Sequence, residues 1–303
     1  MAKIADEIMT FLQRIFGKAP TDLEQASPDG IETAPLDPTA IDGTALSNYI
    51  LVGSSNSTGV ERAHNEDALF SLLGTAYGEN AVPSFGLFVV ADGMGGHRSG
   101  EVAAALSSRT VAHRLSADPL LQLFEPNGTA ESQPIQDLVR QALQDANNSV
   151  INKVPGGGTT LTAALVLGNQ MTIGHVGDSR AYILTPHEAK VITRDHSLVN
   201  RLVELGQITE AEAAVHPQRN VLYKAIGQGA NLEVDVETHS VPKNGFLFIC
   251  SDGLWGVVPD EEIQRIAWGA DHPQAACDEL VRAANAAGGP DNITAILVYF
   301  PPT

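Results

Sequence analysis

Apolar residues in this chain gather mostly in short unbroken runs. Phe85–Ala91 (FGLFVVA), residues 159–167 (TTLTAALVL), Phe246–Cys250 (FLFIC) and Ile293–Phe300 (ITAILVYF) are too short for helices and rich in Val, Ile, Leu and Phe. Runs of this kind, bounded by Gly, Asn, Asp or Pro, predict buried strands. Residues 159–167 and 170–176 predict a hairpin across Gly168-Asn169, and strand-like text also begins at Ile50, Ala181 and Val191. A helical period appears elsewhere. Glu101–Leu115 places Val102, Ala105, Leu106 and Val111 on one stripe, and residues 135–153 end before Pro155-Gly156-Gly157-Gly158. Two more helices are expected near 260–268 and 273–287. Residues 198–225 hold two short helical patterns around Gly206 and predict a mobile flap, about 195–226, lying over the sheet.

Ahead of this body the pattern changes twice. Ile4, Ile8, Leu12, Ile15 and Phe16 recur at helical spacing, predicting an amphipathic helix over residues 1–18. Such a helix docks on its own protein, a partner or a membrane surface, and the few basic residues there (Lys3, Arg14, Lys18) weaken the membrane option. Residues 19–48 carry Pro20, Pro28, Pro35 and Pro38 among Asp, Glu, Ser and Thr, the composition of a flexible acidic linker. The folded domain is therefore expected over 49–301.

Composition narrows the chemistry. The 303 residues carry 36 acidic against 18 basic side chains, a net charge of −18, which argues against nucleic acid as the partner because phosphate neutralisation needs clustered Lys and Arg. The same balance suits divalent cations. Cys250 and Cys277 are too few and too far apart for a zinc site or disulfide framework, which points to a reducing, cytoplasmic setting. No run reaches the length of a membrane span, and the N-terminus lacks a signal-peptide core. A monomer is the expected state.

The candidate site begins where two buried strands break on the same dipeptide. Asp92-Gly93 ends one and Asp252-Gly253 the other, while Asp291-Asn292 immediately precedes a third strand. Each Asp alone could be a turn residue bonding its own backbone. In an antiparallel sheet, however, strand ends lie beside strand starts, so the three carboxylates are expected to meet on one rim of a sheet. Side by side and buried they would repel, and divalent metal is the simplest compensation. With no His or Cys cluster nearby, oxygen ligation favours Mg²⁺ or Mn²⁺, and two such ions can activate a water for attack on phosphorus.

Seven short motifs extend this outline: RAHNED at 62–67, DGMGGH at 92–97, GGGTT at 156–160, GDSR at 177–180, RDHS at 194–197, SDGLW at 251–255 and PDNIT at 290–294. In this order the chain resembles the metal-dependent protein phosphatases (PPM/PP2C) in their bacterial form. The resemblance implies an α+β fold, a four-layer αββα sandwich of two antiparallel sheets flanked by helices. It also implies direct hydrolysis of phosphoserine or phosphothreonine on proteins, without a phosphoenzyme, opposing a bacterial Ser/Thr kinase. By position, it places Asp92, Asp252 and Asp291 on a first metal ion, and Glu66, Asp92 and the Gly93 carbonyl on a second. Asp178, with Asp252, matches the place of a weaker third ion. Asp67 corresponds to the residue orienting metal-bound water, and Arg62 to the phosphate-binding arginine, whose planar fork suits phosphate oxygens. Met94 stands where some eukaryotic members carry a His proposed as general acid; His97 is the candidate here, and the assignment stays open.

Structural roles are expected for Asp195 and His196 at the start of the flap, for Arg180 in an ion pair, for Asn292 in steadying the Asp291 turn, and for Cys250 in the core. A cysteine phosphatase would need a Cys followed at short spacing by a phosphate-cradling Arg, a context neither Cys has. Two further readings are a partner-switching phosphatase acting on an anti-sigma antagonist and a non-catalytic phosphopeptide-binding scaffold. The scaffold would be expected to have lost acidic ligands, yet all six carboxylates are present.

Overall fold

The computed structural model describes residues 50–74, 84–95, 98–117 and 133–302. The first half of the described chain runs β1 (Leu51–Ser57), β2 (Ala68–Gly74), β3 (Phe85–Ala91), β4 (Gly93–Met94), α1 (Arg98–Leu115), α2 (Ile135–Lys153), β5 (Gly158–Thr159), β6 (Leu161–Leu167) and β7 (Gln170–Val176). It continues with β8 (Arg180–Leu184), β9 (Ala189–Val191), α3 (Leu198–Glu204), α4 (Glu210–Ala214), β10 (Asp235–Ser240) and β11 (Gly245–Cys250). Then come α5 (Asp252–Trp255), α6 (Asp260–Gly269), α7 (Pro273–Ala286) and β12 (Ile293–Phe300). The predicted N-terminal helix, the linker and His97 lie outside the described residues.

Two five-stranded antiparallel sheets, ordered β1-β12-β11-β8-β9 and β10-β7-β6-β3-β2, form the centre. The unbroken apolar text of the inner strands now has its cause, since these strands are covered on both faces. In β3, Phe88 and Val90 point between the sheets and meet Leu247, Ile249, Ile296 and Val298 of the facing sheet. The alternate residues Leu87, Val89 and Ala91 point outward onto α1 and α2. On the other side, Phe248 and Cys250 of β11 and Leu297 of β12 pack beneath α6 and α7, which present Ile263, Ile266, Cys277 and Leu280. Helix, sheet, sheet, helix is the four-layer α+β sandwich expected from the sequence.

The differences in local structure are informative. Helix α1 begins at Arg98 rather than Glu101, so Gly100 lies inside its first turn. A β-carbon there would stand 2.0 Å from Glu66 Oε2 and 2.9 Å from the Gly93 carbonyl carbon. Helix interiors disfavour glycine by roughly 1 kcal/mol, and this close approach is what requires it. β10 is not predicted from the sequence, because DVETHS is half exposed and, among the described residues, pairs only with β7 at a sheet edge. The predicted flap segment carries α3 and α4, each started by a hydroxyl cap: Ser197 accepts from Asn200 N, and Thr209 forms a capping box with Glu212.

Candidate active site

The acidic residues arrive from five separate places. Asp92 follows β3, Asp252 opens α5 directly after β11, Asp291 precedes β12, Glu66 and Asp67 precede β2, and Asp178 lies in the turn from β7 to β8. The expectation that Asp92, Asp252 and Asp291 share one rim of a single sheet is corrected here. β11 and β12 are neighbours, with Cys250 opposite Ala295, so Asp252 and Asp291 do sit side by side at adjoining strand ends. β3, which delivers Asp92, belongs to the facing sheet. The carboxylates therefore meet across the end of the sandwich. A strand apolar on both faces carries no local sign of which sheet it joins, so sequence alone does not separate β3 from β11 and β12.

Each acidic residue is fixed through its backbone. The Asp92 carbonyl accepts from Thr160 N (2.8 Å) and Thr159 Oγ1 (2.8 Å), while Asp92 N donates to Thr160 Oγ1 (3.0 Å). The GGGTT text is thus a clamp on Asp92, reinforced by the small β4–β5 ladder that pairs Gly93 with Thr159. Asn292 has a larger part than steadying its own turn. Its Oδ1 accepts from Glu66 N (2.8 Å), and its Nδ2 donates to the carbonyls of Thr58 (2.8 Å) and His64 (2.9 Å). One buried carboxamide therefore sets the loop that carries Arg62, Glu66 and Asp67. Its own N–H donates to Asp291 Oδ1 at 2.8 Å. Gly253 completes the packing, since a β-carbon there would lie 2.1 Å from the Asn292 carbonyl oxygen.

Electrostatically the aspartates form one neighbourhood. Burial pushes Asp92 well above the usual carboxylate range, and the charges of Asp67, Asp252, Asp178 and Asp291 push it further. Asp178 rises for the same first reason, then through Asp252 and Asp195. Asp252 is raised to about 6 by burial and by Asp291, a rise partly offset by a hydrogen bond from the Asp92 side chain. Burial takes Asp67 up to about 7 although the hydroxyls of Thr294 (2.6 Å) and Ser251 (2.8 Å) both donate to its Oδ2.

Two oxygens in this cluster, Asp67 Oδ1 and Asp252 Oδ1, are buried and have no hydrogen-bond partner among the described residues. Orphaned, desolvated carboxylate oxygens among like charges need a cation or protons. Among the described residues no three acidic, imidazole or thiol side chains enclose a single ion by themselves. That is compatible with a hard cation such as Mg²⁺, which keeps several waters and takes one or two carboxylates. The all-oxygen donor set and the orphaned oxygens fit Mg²⁺ or Mn²⁺.

Arg62 stands at the mouth of the cluster, half exposed, with Nη2 2.6 Å from Asp291 Oδ2 and Nε donating to the Pro290 carbonyl at 3.3 Å. Arg180 is bound as expected in an ion pair, donating from Nε (3.1 Å) and Nη2 (2.8 Å) to the two oxygens of Asp195. His196 is buried, its Nδ1 accepting from Gly177 N (3.0 Å) and its Nε2 facing Asp235 Oδ2 (3.0 Å). It thus ties the flap base to the turn bearing Asp178. Cys250 is fully buried and its thiol is pushed far up by that burial, as a core residue should be. An open groove of about 540 Å³ between α2 and residues 230–234, lined by Arg140, Gln144 and Asn148, is separate from all of this.

Comparison with known proteins agrees with the geometry. Residues 52–293 match the family model described as Protein phosphatase 2C. The chain is 34% identical over 218 residues to the serine/threonine phosphatase stp of Listeria monocytogenes, spanning 70% of this chain and 83% of that protein. Among solved structures it is similar to the serine/threonine phosphatase PstP/Ppp of Mycobacterium tuberculosis, with TM-score 0.69 and 30% identity over 83% of this chain and 99% of the other. It is also similar to a catalytic domain of PstP in complex with two manganese ions, with TM-score 0.66, 30% identity, and coverage of 82% and 97%.

Proposed function

Since the chain belongs to the protein phosphatase 2C family, and so is a metal-dependent serine/threonine protein phosphatase, we propose which of its residues do the work. Asp92, Asp252 and Asp291 hold one divalent ion, and Glu66, Asp92 and the Gly93 carbonyl hold a second. Asp178 and Asp252 offer a weaker third position. The ions are Mn²⁺ or Mg²⁺; when bound, they supply an activated water and offset charge on the phosphate. Asp92, clamped by Thr159 and Thr160, is the shared ligand between the two principal positions. Asp67 is held by Ser251 and Thr294 with its Oδ1 free to accept a proton or orient the attacking water.

Arg62 binds the substrate phosphate. Its guanidinium is half exposed at the rim of the cluster and presents a planar fork to phosphate oxygens. His97 is the candidate proton donor to the leaving serine or threonine oxygen. The substrates are phosphoproteins, with a cognate Ser/Thr kinase as the opposing partner, and the protein acts as a monomer in the cytoplasm.

The observation that carries this reading is the convergence of aspartates from both sheets, two of them with buried oxygens that find no hydrogen-bond partner among the described residues. The test is hydrolysis of a phosphothreonine peptide by the full chain with Mn²⁺, with and without chelator, beside Asp252→Asn. Turnover is expected to vanish with chelator and to fall strongly in the variant. Chelator-insensitive hydrolysis, or an unimpaired Asp252→Asn enzyme, would refute the assignment.

A further inference from the structure

Outside the carboxylate cluster, three side chains form a chain of contacts that ends on it. Trp255 closes the short helix α5 that Asp252 opens, and its Nε1–H donates to the Asp178 backbone carbonyl at 2.9 Å. The guanidinium carbon of Arg180 lies 3.6 Å from the centroid of the Trp255 ring. Asp195 grips that guanidinium through both its oxygens, with side-chain exposures of 24% for Arg180 and 10% for Asp195. Stacking of this kind plus a bidentate pair defines the plane of the indole and so the direction of its N–H.

The geometry answers a mechanical problem. β7 and β8 belong to different sheets, so the turn carrying Asp178 crosses between them. It lies against helix α5, where the Asp178 carbonyl meets Trp255, so the separation of the Asp178 and Asp252 side chains depends on how turn and helix are held together. Gly177 is tied to the flap base by His196, and Ser179 to Thr160, but the bond to α5 itself is made by Trp255.

We propose that Trp255 is a positioning residue for the metal centre: its indole N–H holds the Asp178 turn against the helix that carries Asp252. Arg180, gripped by Asp195, fixes the indole in the orientation that makes this bond. The inference rests on the reading that Asp178 and Asp252 face divalent cations. It assigns Arg180 and Asp195 work beyond a local ion pair, since loosening either tilts the indole and lengthens the distance between two carboxylates.

The test is calorimetric titration of the full chain with Mn²⁺ alone, without substrate. Trp255→Phe keeps a ring under Arg180 and deletes only the N–H. Loss of an outer partner of a metal ligand typically weakens metal binding about 10- to 100-fold, so the Mn²⁺ concentration for half-saturation of the weakest site should rise at least about tenfold. Arg180→Lys, which loses the planar fork and the stack, should raise it in the same direction by less. Cys277→Ala, a truncation in the core beneath α7, should lower the melting temperature and leave the Mn²⁺ isotherm unchanged.

Asp252→Asn is titrated in parallel. If it binds Mn²⁺ like the parent, the metal assignment fails. If it loses binding while Trp255→Phe keeps the parental isotherm, the positioning role is overturned and the metal assignment stands. Should Trp255→Phe not fold, Arg180→Lys and Asp195→Asn carry the test, and parental isotherms in both would overturn the proposal.

Discussion

Truncating Asn292 should damage stability and catalysis together, because one carboxamide holds the segment that presents Arg62, Glu66 and Asp67. Asn292→Ala removes the bond from Glu66 N and the two bonds to the Thr58 and His64 carbonyls, at 2.8, 2.8 and 2.9 Å. At about 1 kcal/mol net for each such bond, the expected loss is about 3 kcal/mol. In a domain of this size that lowers the melting temperature by roughly 6–12 °C. Urea unfolding followed by circular dichroism measures the first quantity, with an unchanged slope required for a two-state comparison.

The catalytic effect is expected to exceed the thermodynamic one under conditions where the variant is fully folded. A displacement of about 1 Å in a positioning segment can cost about 100-fold in rate, so kcat/KM on a phosphothreonine peptide should fall by about that factor. Asn292→Asp retains the acceptor for Glu66 N, loses both donors and adds a negative charge beside Asp291, and so should be at least as impaired. A stability loss under about 1 kcal/mol, with kcat/KM within about threefold of the parent, would refute the role assigned to Asn292.

Three further outcomes follow from the packing. In Gly100→Ala the new methyl meets Glu66 Oε2 at 2.0 Å, so turnover should drop at least about tenfold while far-UV circular dichroism shows helix α1 intact. His175 is buried, with its ring bonded to Thr162 Oγ1 (2.9 Å) and the Arg194 carbonyl (3.1 Å), and burial lowers its pKa to about 3. The unfolded chain therefore takes up this proton first, so the stabilising effect is complete above the ordinary histidine value near 6.5 and is lost as pH falls toward 3. Urea midpoints measured from pH 7.5 to 5 should decline, and His175→Gln should reduce the slope below pH 6.5 by up to about 1.4 kcal/mol per pH unit. Asp235, held below the usual carboxylate range by its hydrogen bond to His196 and then by Lys224, adds acid lability only at lower pH, and Asp235→Asn should remove that component in the same titration.

Much of this fold can be read from short stretches, for a physical reason that also marks where such reading stops. Phe85–Ala91, residues 135–153 and Ile293–Phe300 fall where the sequence predicts them, because each is long or apolar enough to be dictated by its own burial. β10 is missed because an edge strand with half-exposed polar residues obtains its order from β7 rather than from itself. The short turn of helix at α5 is missed because Asp252-Gly253 reads as a turn.

At the site, residue types and order suffice to nominate the carboxylates, yet they misplace Asp92 on the wrong sheet. The supports are harder still to foresee. Asn292 acts on Glu66 across more than two hundred residues of chain, and Gly100 is glycine because of Glu66, in neither case with any local sign. The Asn directly after the third Asp was the available signal for the first, and the third glycine after Gly95 and Gly96 for the second.

That the acidic residues are divided between two sheets has a thermodynamic consequence. On the assignment proposed above, the ions act as a clasp across the open end of the sandwich, and their chemical potential enters the folding equilibrium of the whole domain. Ligand at 100 times its dissociation constant adds about 2.7 kcal/mol to the stability of the state that binds it. Amide hydrogens of β3 and of β11, far apart in the chain, should then slow their exchange together as Mn²⁺ is raised. Cells short of the metal would hold a phosphatase that is less active and also shorter-lived, so that metal supply sets the amount of enzyme as well as its turnover.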